Sequence, residues 1–263
     1  MRGYFAIFKI RVKALFQYRA AAVAGICTQL FWGVVFVMIF QAFYAESHVK
    51  EPLSLGQTTT FIWLGQSLLL LLPWKIDKEV GAQIRNGNIA YELVRPIHLY
   101  GLWYFRSLAL VLAPTLIRAL PIFVLGGLFF GLQAPVSQGA LFAFIGSVIL
   151  ASFLSSAITT LVVISLFWTL SGEGIERLLP HCVTLLAGMV VPLPLFPSWL
   201  QPFLSLQPFR GILDIPCRLY TGVIPVSQTL IYLGFQIAWT LIFIMLGRWL
   251  LQKATRQFVI QGG

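Results

Sequence analysis

The sequence predicts an all-α membrane protein, a single transmembrane domain over residues 1–263 with six transmembrane helices. Composition makes the first argument: 59% of the residues are hydrophobic and only 10% charged, a balance foreign to water-soluble domains. Order makes the second, because apolar runs of about 18 residues or more recur, and that length crosses a bilayer as helix. The third lies in where the charges stand. The formal net charge is +10, yet the lysines and arginines sit at the ends of apolar runs instead of forming one basic surface. They read as topology signals, and no nucleic-acid partner is expected.

The elements follow in order. Residues 1–19 place Phe5, Phe8, Val12, Leu15 and Phe16 on one side of a helix with Arg2, Lys9 and Lys13 beside them. This suits an N-terminal helix lying in the membrane interface; a basic flank to the first span accounts for it as well. The run that follows is longer than a signal-peptide core and has no convincing cleavage site, so the start is expected to be retained. Ala20 to Tyr44 is the first span and Glu46 to Gly56 a polar loop. Thr58 to Leu72 is a shorter, more polar second span in which Thr59, Trp63 and Gln66 share a face. That face points to a pathway or to protein, since polar groups in lipid need partners.

Residues 75–98 are the most polar part of the chain. Seven of its 26 charged residues fall here: Lys75, Asp77, Lys78, Glu79, Arg85, Glu92 and Arg95. Ile76, Val80 and Ile84 recur every four residues, the mark of a short helix with one apolar face. Asn86-Gly87 supplies a left-handed end to that helix. Ile89, Ala90, Leu93 and Val94 form a second apolar set, closed at Arg95-Pro96. The expectation is an amphipathic knuckle at the membrane surface.

Leu99 to Gly131 is too long for one straight crossing. Tyr100 to Leu110 is therefore expected at the interface, with Arg106 snorkelling, and Val111 to Gly131 as the third span. Arg118, between Pro114 and Pro121, either snorkels or serves an ion pair or substrate, because an arginine in the bilayer centre costs about 2.5–3.5 kcal/mol. Gly139 to Leu170 is the fourth span, with Ser155, Ser156, Thr159 and Thr160 for interhelical hydrogen bonds. A charged loop from Gly172 to Arg177 leads to a fifth, Leu178 to Val191. Residues 192–225 are too proline-broken to span and too apolar for an open loop, which suggests short helices re-entering one leaflet against protein. Val226 to Leu250 is the last span.

With six spans, thirteen lysines and arginines fall on the side of the termini and the knuckle. Three, Lys50, Arg210 and Arg218, fall on the other. The positive-inside bias puts both termini in the cytoplasm. Chemistry is sparse. Cys27, Cys182 and Cys217 have no metal or disulfide spacing, and His48, His98 and His181 are scattered. There is no phosphate loop, HExxH pair or GxSxG elbow, so no catalytic residue, cofactor or metal site is expected.

An interfacial basic helix, six spans, a cytoplasmic knuckle after the second and a proline-broken external segment before the sixth together resemble the permeases of type 2 ABC exporters. The phrases RNGNIAYELVRPIHLYG, LPLFPSWLQPF and LYTG look like signatures of one bacterial branch. The resemblance covers the whole chain. It implies that the knuckle is a coupling helix, with Asp77, Lys78, Glu79, Gln83, Arg85, Asn88, Tyr91 and Glu92 meeting an ATPase subunit. It implies two ATPase subunits per complex, carrying ATP and Mg, and a second permease copy or a related permease. The substrate would be an amphipathic or lipid-like molecule, a drug or a peptide, and the place a bacterial inner membrane. Thr59, Trp63, Gln66 and Arg118 are the residues expected along its path. An importer permease is the nearest alternative, although Glu79-Val80-Gly81-Ala82 with Gly87 imitates an importer's EAA-x3-G loop poorly. A membrane-embedded enzyme or a channel subunit is further off.

Overall fold

The computed structural model describes residues 2–15, 19–48, 51–74, 76–93, 98–169 and 173–257, and all regular structure among them is helical. The expected charges at Lys50, Lys75 and Arg95, and the closing Pro96, lie outside these residues. So do the side chains of Arg2, Arg19, Glu173, Glu176 and Arg177.

Helix α1 (Arg2–Leu15) packs along the first half of α6 (Leu99–Phe129), where Tyr4 stacks on Phe105 at 5.7 Å. Helix α2 (Arg19–Glu46) continues along the second half of α6, and α3 (Leu55–Leu68) returns beside both. A capping box starts α3: Ser54 accepts from the Gln57 amide and the Gln57 side chain accepts from the Ser54 amide. A 3-10 turn, Leu69–Leu71, ends it. The knuckle holds α4 (Lys78–Arg85) and one turn, α5 (Ala90–Leu93). Beyond α6 come α7 (Gln138–Ser165) and α8 (Glu173–Leu186), then α9 (Gln201–Leu206), α10 (Asp214–Tyr220) and α11 (Thr229–Gln257).

Among the described residues, four helical stretches are long and apolar enough to cross a membrane: Ala20–Glu46, Leu99–Phe129, Gln138–Ser165 and Val226–Arg256. Helices α3 and α8, at 14 residues each, are about 21 Å long, short of a ~30 Å hydrocarbon core. Helix α3 has a reason to be unusual. Every residue from Thr58 to Leu68 is buried, so protein rather than lipid surrounds it. Thr60 on this helix donates to the Gly56 carbonyl at 2.8 Å and accepts from the Gln133 amide at 3.0 Å.

The stretch read as an interfacial part, Tyr100 to Leu110, and a third span, Val111 to Gly131, is one helix: α6 runs for 31 residues through Pro114 and Pro121. Each proline removes one backbone donor, a loss that neighbouring helices make tolerable in membrane proteins.

Residues 192–225 fold as a series of short helical pieces. The 3-10 turns Leu193–Leu195, Ser198–Leu200 and Pro208–Gly211 alternate with α9 and α10. Gln236 on α11 locks this series to α7, its amide donating to the Gly211 carbonyl at 2.6 Å and the Ser147 carbonyl at 3.0 Å. Gly211 leaves no room for a side chain, since a Cβ there would come within 2.8 Å of Leu154. The main core joins α3, α6, α7 and α10 through residues such as Trp63, Ile122, Leu154 and Leu213. A second core at the other end gathers Val80, Ile84 and Ile89 with Trp103, Ile164 and Leu251. The knuckle and residues 192–225 therefore occupy opposite ends of the bundle.

Candidate functional site

The knuckle is built from a cap, an apolar face and a brace. Asp77 caps α4, its Oδ1 accepting from the Glu79 and Val80 amides at 3.0 and 3.4 Å. Ending α4, Asn86 leads into Gly87 at φ 72°, a left-handed position where a side chain would be strained. Val80 and Ile84 turn inward with Ile89 against the start of α6 and the ends of α7 and α11. A Cβ added at Gly81 would meet Leu166 only at ordinary contact distance, so the apolar face of Val80 and Ile84, and not the glycine, holds the helix to the bundle.

The brace is a four-member charge cluster. Arg106 of α6 donates through Nε to Asp77 at 2.6 Å and through Nη2 to Glu79 at 2.8 Å. Arg11 of α1 donates to Glu79 through both terminal nitrogens, the longer bond at 3.1 Å. The Arg11 hydrogen bond, with Arg106 adding to it, holds the Glu79 carboxyl below its ordinary value. Arg106 was expected to snorkel; instead the fold brings two carboxylates to it, because Asp77 enters the interior as it caps α4. Deeper in, Trp103 donates to Glu92 at 3.3 Å.

The eight residues expected on a coupling surface thus divide. Asp77 and Glu92 are buried and hold the knuckle to α6, and Gln83 is half-buried. Lys78, Glu79, Arg85, Asn88 and Tyr91 are exposed, Tyr91 at 72%. A cleft of about 650 Å³ opens beside them, lined by Arg11, Trp74, Lys78, Arg85, Leu110 and Ile175 among others. A polar outward face on a rigidly held helix can bind a partner surface and pass a displacement to three long helices.

Of the four residues expected on a substrate path, Trp63 is fully buried, its indole donating to the Phe130 carbonyl at 3.0 Å and its ring stacked on Phe130 at 4.8 Å. Trp63 also fills the space over Gly33, where a Cβ would meet the ring at 2.5 Å. Gln66 is buried, and its backbone carbonyl accepts from Gln29 at 2.8 Å. Thr59 borders a cavity of about 420 Å³ between α2, α3 and the end of α6, with Val37, Met38, Gln41, Trp63 and Phe129. Arg118 stands apart from these three. It lies over Gly25 and donates to the Ala21 carbonyl at 3.0 Å, near the start of α2.

Two residues counted as charges of a sparse external side, Arg210 and Arg218, are turned inward. Both bracket Asp214 on α10, which is fully buried. Burial of a charge leaves no mark on hydropathy, but the four-residue spacing Arg210, Asp214, Arg218 was a readable sign of mutual contact.

A family model described as ABC-2 family transporter protein matches residues 55–262. No curated protein matches the chain.

Proposed function

The chain belongs to the ABC-2 family transporter proteins, membrane components of ABC transporters that work with a separate ATPase, and from that membership we propose that it is the permease of an exporter. In this reading α3 and α8 complete six membrane-crossing elements, although each has only 14 residues. The permease pairs with a second copy or a related permease, and two ATPase subunits bind ATP and Mg beneath them in a bacterial inner membrane. Both termini and the knuckle face the cytoplasm, as the positive-inside bias requires. Outward movement of an amphipathic or lipid-like molecule, a drug or a peptide follows from alternation between two packings of the bundle.

The knuckle carries this reading. Its exposed Lys78, Arg85, Asn88 and Tyr91 stand on a two-helix unit that Asp77 and Glu92 fix to α6. A subunit seated on them moves α6 directly. The substrate path is proposed beside Thr59 and Trp63, where the cavity between α2 and α3 lies, with Gln66 buried on the same helix and Arg118 farther along, at the start of α2.

The test reverses Lys78 and Arg85 together to glutamate and leaves the braced Glu79 intact. Losing desolvated charge partners at an interface costs about 2–5 kcal/mol, so recovery of the ATPase with the permease should fall about thirty-fold or more. The folded permease should change by about 1 kcal/mol or less, the range of a surface charge interaction, because both side chains are exposed. Undiminished ATPase recovery together with undiminished efflux would remove the coupling role.

A further inference from the structure

The outer cluster carries a charge that its own side chains do not balance. Arg210 and Arg218 bracket one carboxylate, Asp214, at 3.6 and 3.5 Å. Two guanidiniums and one carboxylate sum to +1. The Arg210 and Asp214 side chains are only 8% and 0% exposed, and an uncompensated charge so far from water is strongly unfavourable. The compensation within reach is partial. The Ser205 carbonyl accepts from Arg210 at 2.9 Å, and the Tyr232 and Phe235 rings lie 5.5 and 5.7 Å from its guanidinium carbon. Neither a carbonyl nor an aromatic face carries net charge.

Three buried polar atoms here find no hydrogen-bond partner among the described residues: Arg210 Nε, Arg218 Nε and Asp214 Oδ1. Their residues line one cavity of about 400 Å³, together with Ser198, Gln201 and Leu204. Two unused N–H donors beside a positive charge call for an oxyanion. One unused acceptor calls for a hydroxyl. The surroundings call for a chain: Trp199, Phe203 and Leu206, on the same short helical pieces, are 76%, 55% and 71% exposed. Apolar side chains so exposed on the pieces that line a charged cavity suit an amphiphile whose head enters and whose tail stays outside.

We propose that this cavity binds the phosphate head group of an anionic, hydroxyl-bearing lipid, with Arg210 and Arg218 on the phosphate, Asp214 accepting from the hydroxyl and the acyl chains along Trp199, Phe203 and Leu206. The assignment rests on the exporter reading only for calling this the outer end. Binding is read without an ATPase, so the two ideas fail separately.

The full-length permease, purified in neutral detergent, is titrated with short-chain phosphatidylglycerol, with phosphatidylcholine of the same chains, and with glycerol phosphate, and bound lipid is counted by native mass spectrometry. Phosphatidylglycerol should bind about ten-fold or more tightly than phosphatidylcholine, the worth of one charge-assisted hydrogen bond. Glycerol phosphate should bind more weakly than the lipid, and equal affinity would overturn the lipid in favour of a free phosphate. Arg218→Gln should weaken phosphatidylglycerol about ten-fold, while Asp214→Asn, which keeps an acceptor and raises the cluster to +2, should strengthen it. A purely structural cluster predicts no gain from Asp214→Asn. Equal binding of the two lipids by the unaltered protein overturns the proposal without any variant, so misfolding of a variant does not protect it.

Discussion

At the knuckle two arginines meet two carboxylates, whereas at the outer end two arginines share one. Arg11 and Arg106 face Asp77 and Glu79, and the buried Arg106–Asp77 contact closes at 2.6 Å. Arg210 and Arg218 approach Asp214 only to 3.6 and 3.5 Å and leave donors unused. The first cluster is neutral and saturated, and it fixes three elements to one another. The second is charged and unsaturated, and it opens into a cavity. Counting charges against partners therefore separates a brace from a socket, two roles that composition alone makes look the same.

The comparison breaks most visibly if the two ends do not lie on opposite sides of a membrane. A cysteine at Ser198 should react with an impermeant thiol reagent applied to intact cells, and one at Asn88 should not. Both positions are exposed, so the contrast is all-or-none. Labelling at Asn88 from outside would invert the topology.

Next in size is the brace. Arg106→Ala leaves Asp77 buried without its partner, a loss of about 3–5 kcal/mol, to be read from the denaturant midpoint of the purified permease. A midpoint like that of the unaltered protein would mean that Asp77 needs no counter-charge. Arg218→Ala sharpens the contrast from the other end. Its contact with Asp214 is long, its side chain is 22% exposed, and removing it brings that cluster to neutrality. The same measurement should move by about 1 kcal/mol or less, and a larger fall would make Arg218 a structural partner.

The smallest effect is that of acid on Glu79. Its carboxyl is held below the ordinary 4.5, so its stabilising contribution is complete above pH 4.5 and disappears as pH falls through the lower value of the folded state. Stability in that acid range should decline less steeply in Glu79→Gln than in the unaltered chain. Parallel curves would show that Glu79 is not coupled to Arg11 and Arg106.

Much of the architecture was legible because lipid imposes it. Apolar length marked Ala20–Glu46, Gln138–Ser165 and Val226–Arg256 as crossing helices almost to their ends, and a four-residue repeat ending at Asn86-Gly87 gave α4. The candidate site was only half legible. Periodicity showed that Val80 and Ile84 turn inward, but Asp77 and Glu92 read as outward charges, since nothing local tells a capping or braced carboxylate from a solvated one. Arg118 was an anomaly in the sequence and became intelligible once α2 supplied Gly25 and the Ala21 carbonyl beside it.

The sequence by itself determined the class of the molecule, the polar end that a partner can reach and the proline-broken segment at the other end, because hydropathy, charge and proline act on each segment alone. Only the tertiary structure decided that Arg106 closes a brace, that α3 is wrapped in protein, and that Arg210, Asp214 and Arg218 form an unbalanced buried set. Those outcomes depend on which groups meet across the bundle, 27 residues apart for Arg106 and Glu79 and 68 for Arg11 and Glu79. The energy of a buried charge is set by the partners that folding brings to it, and by those it fails to bring.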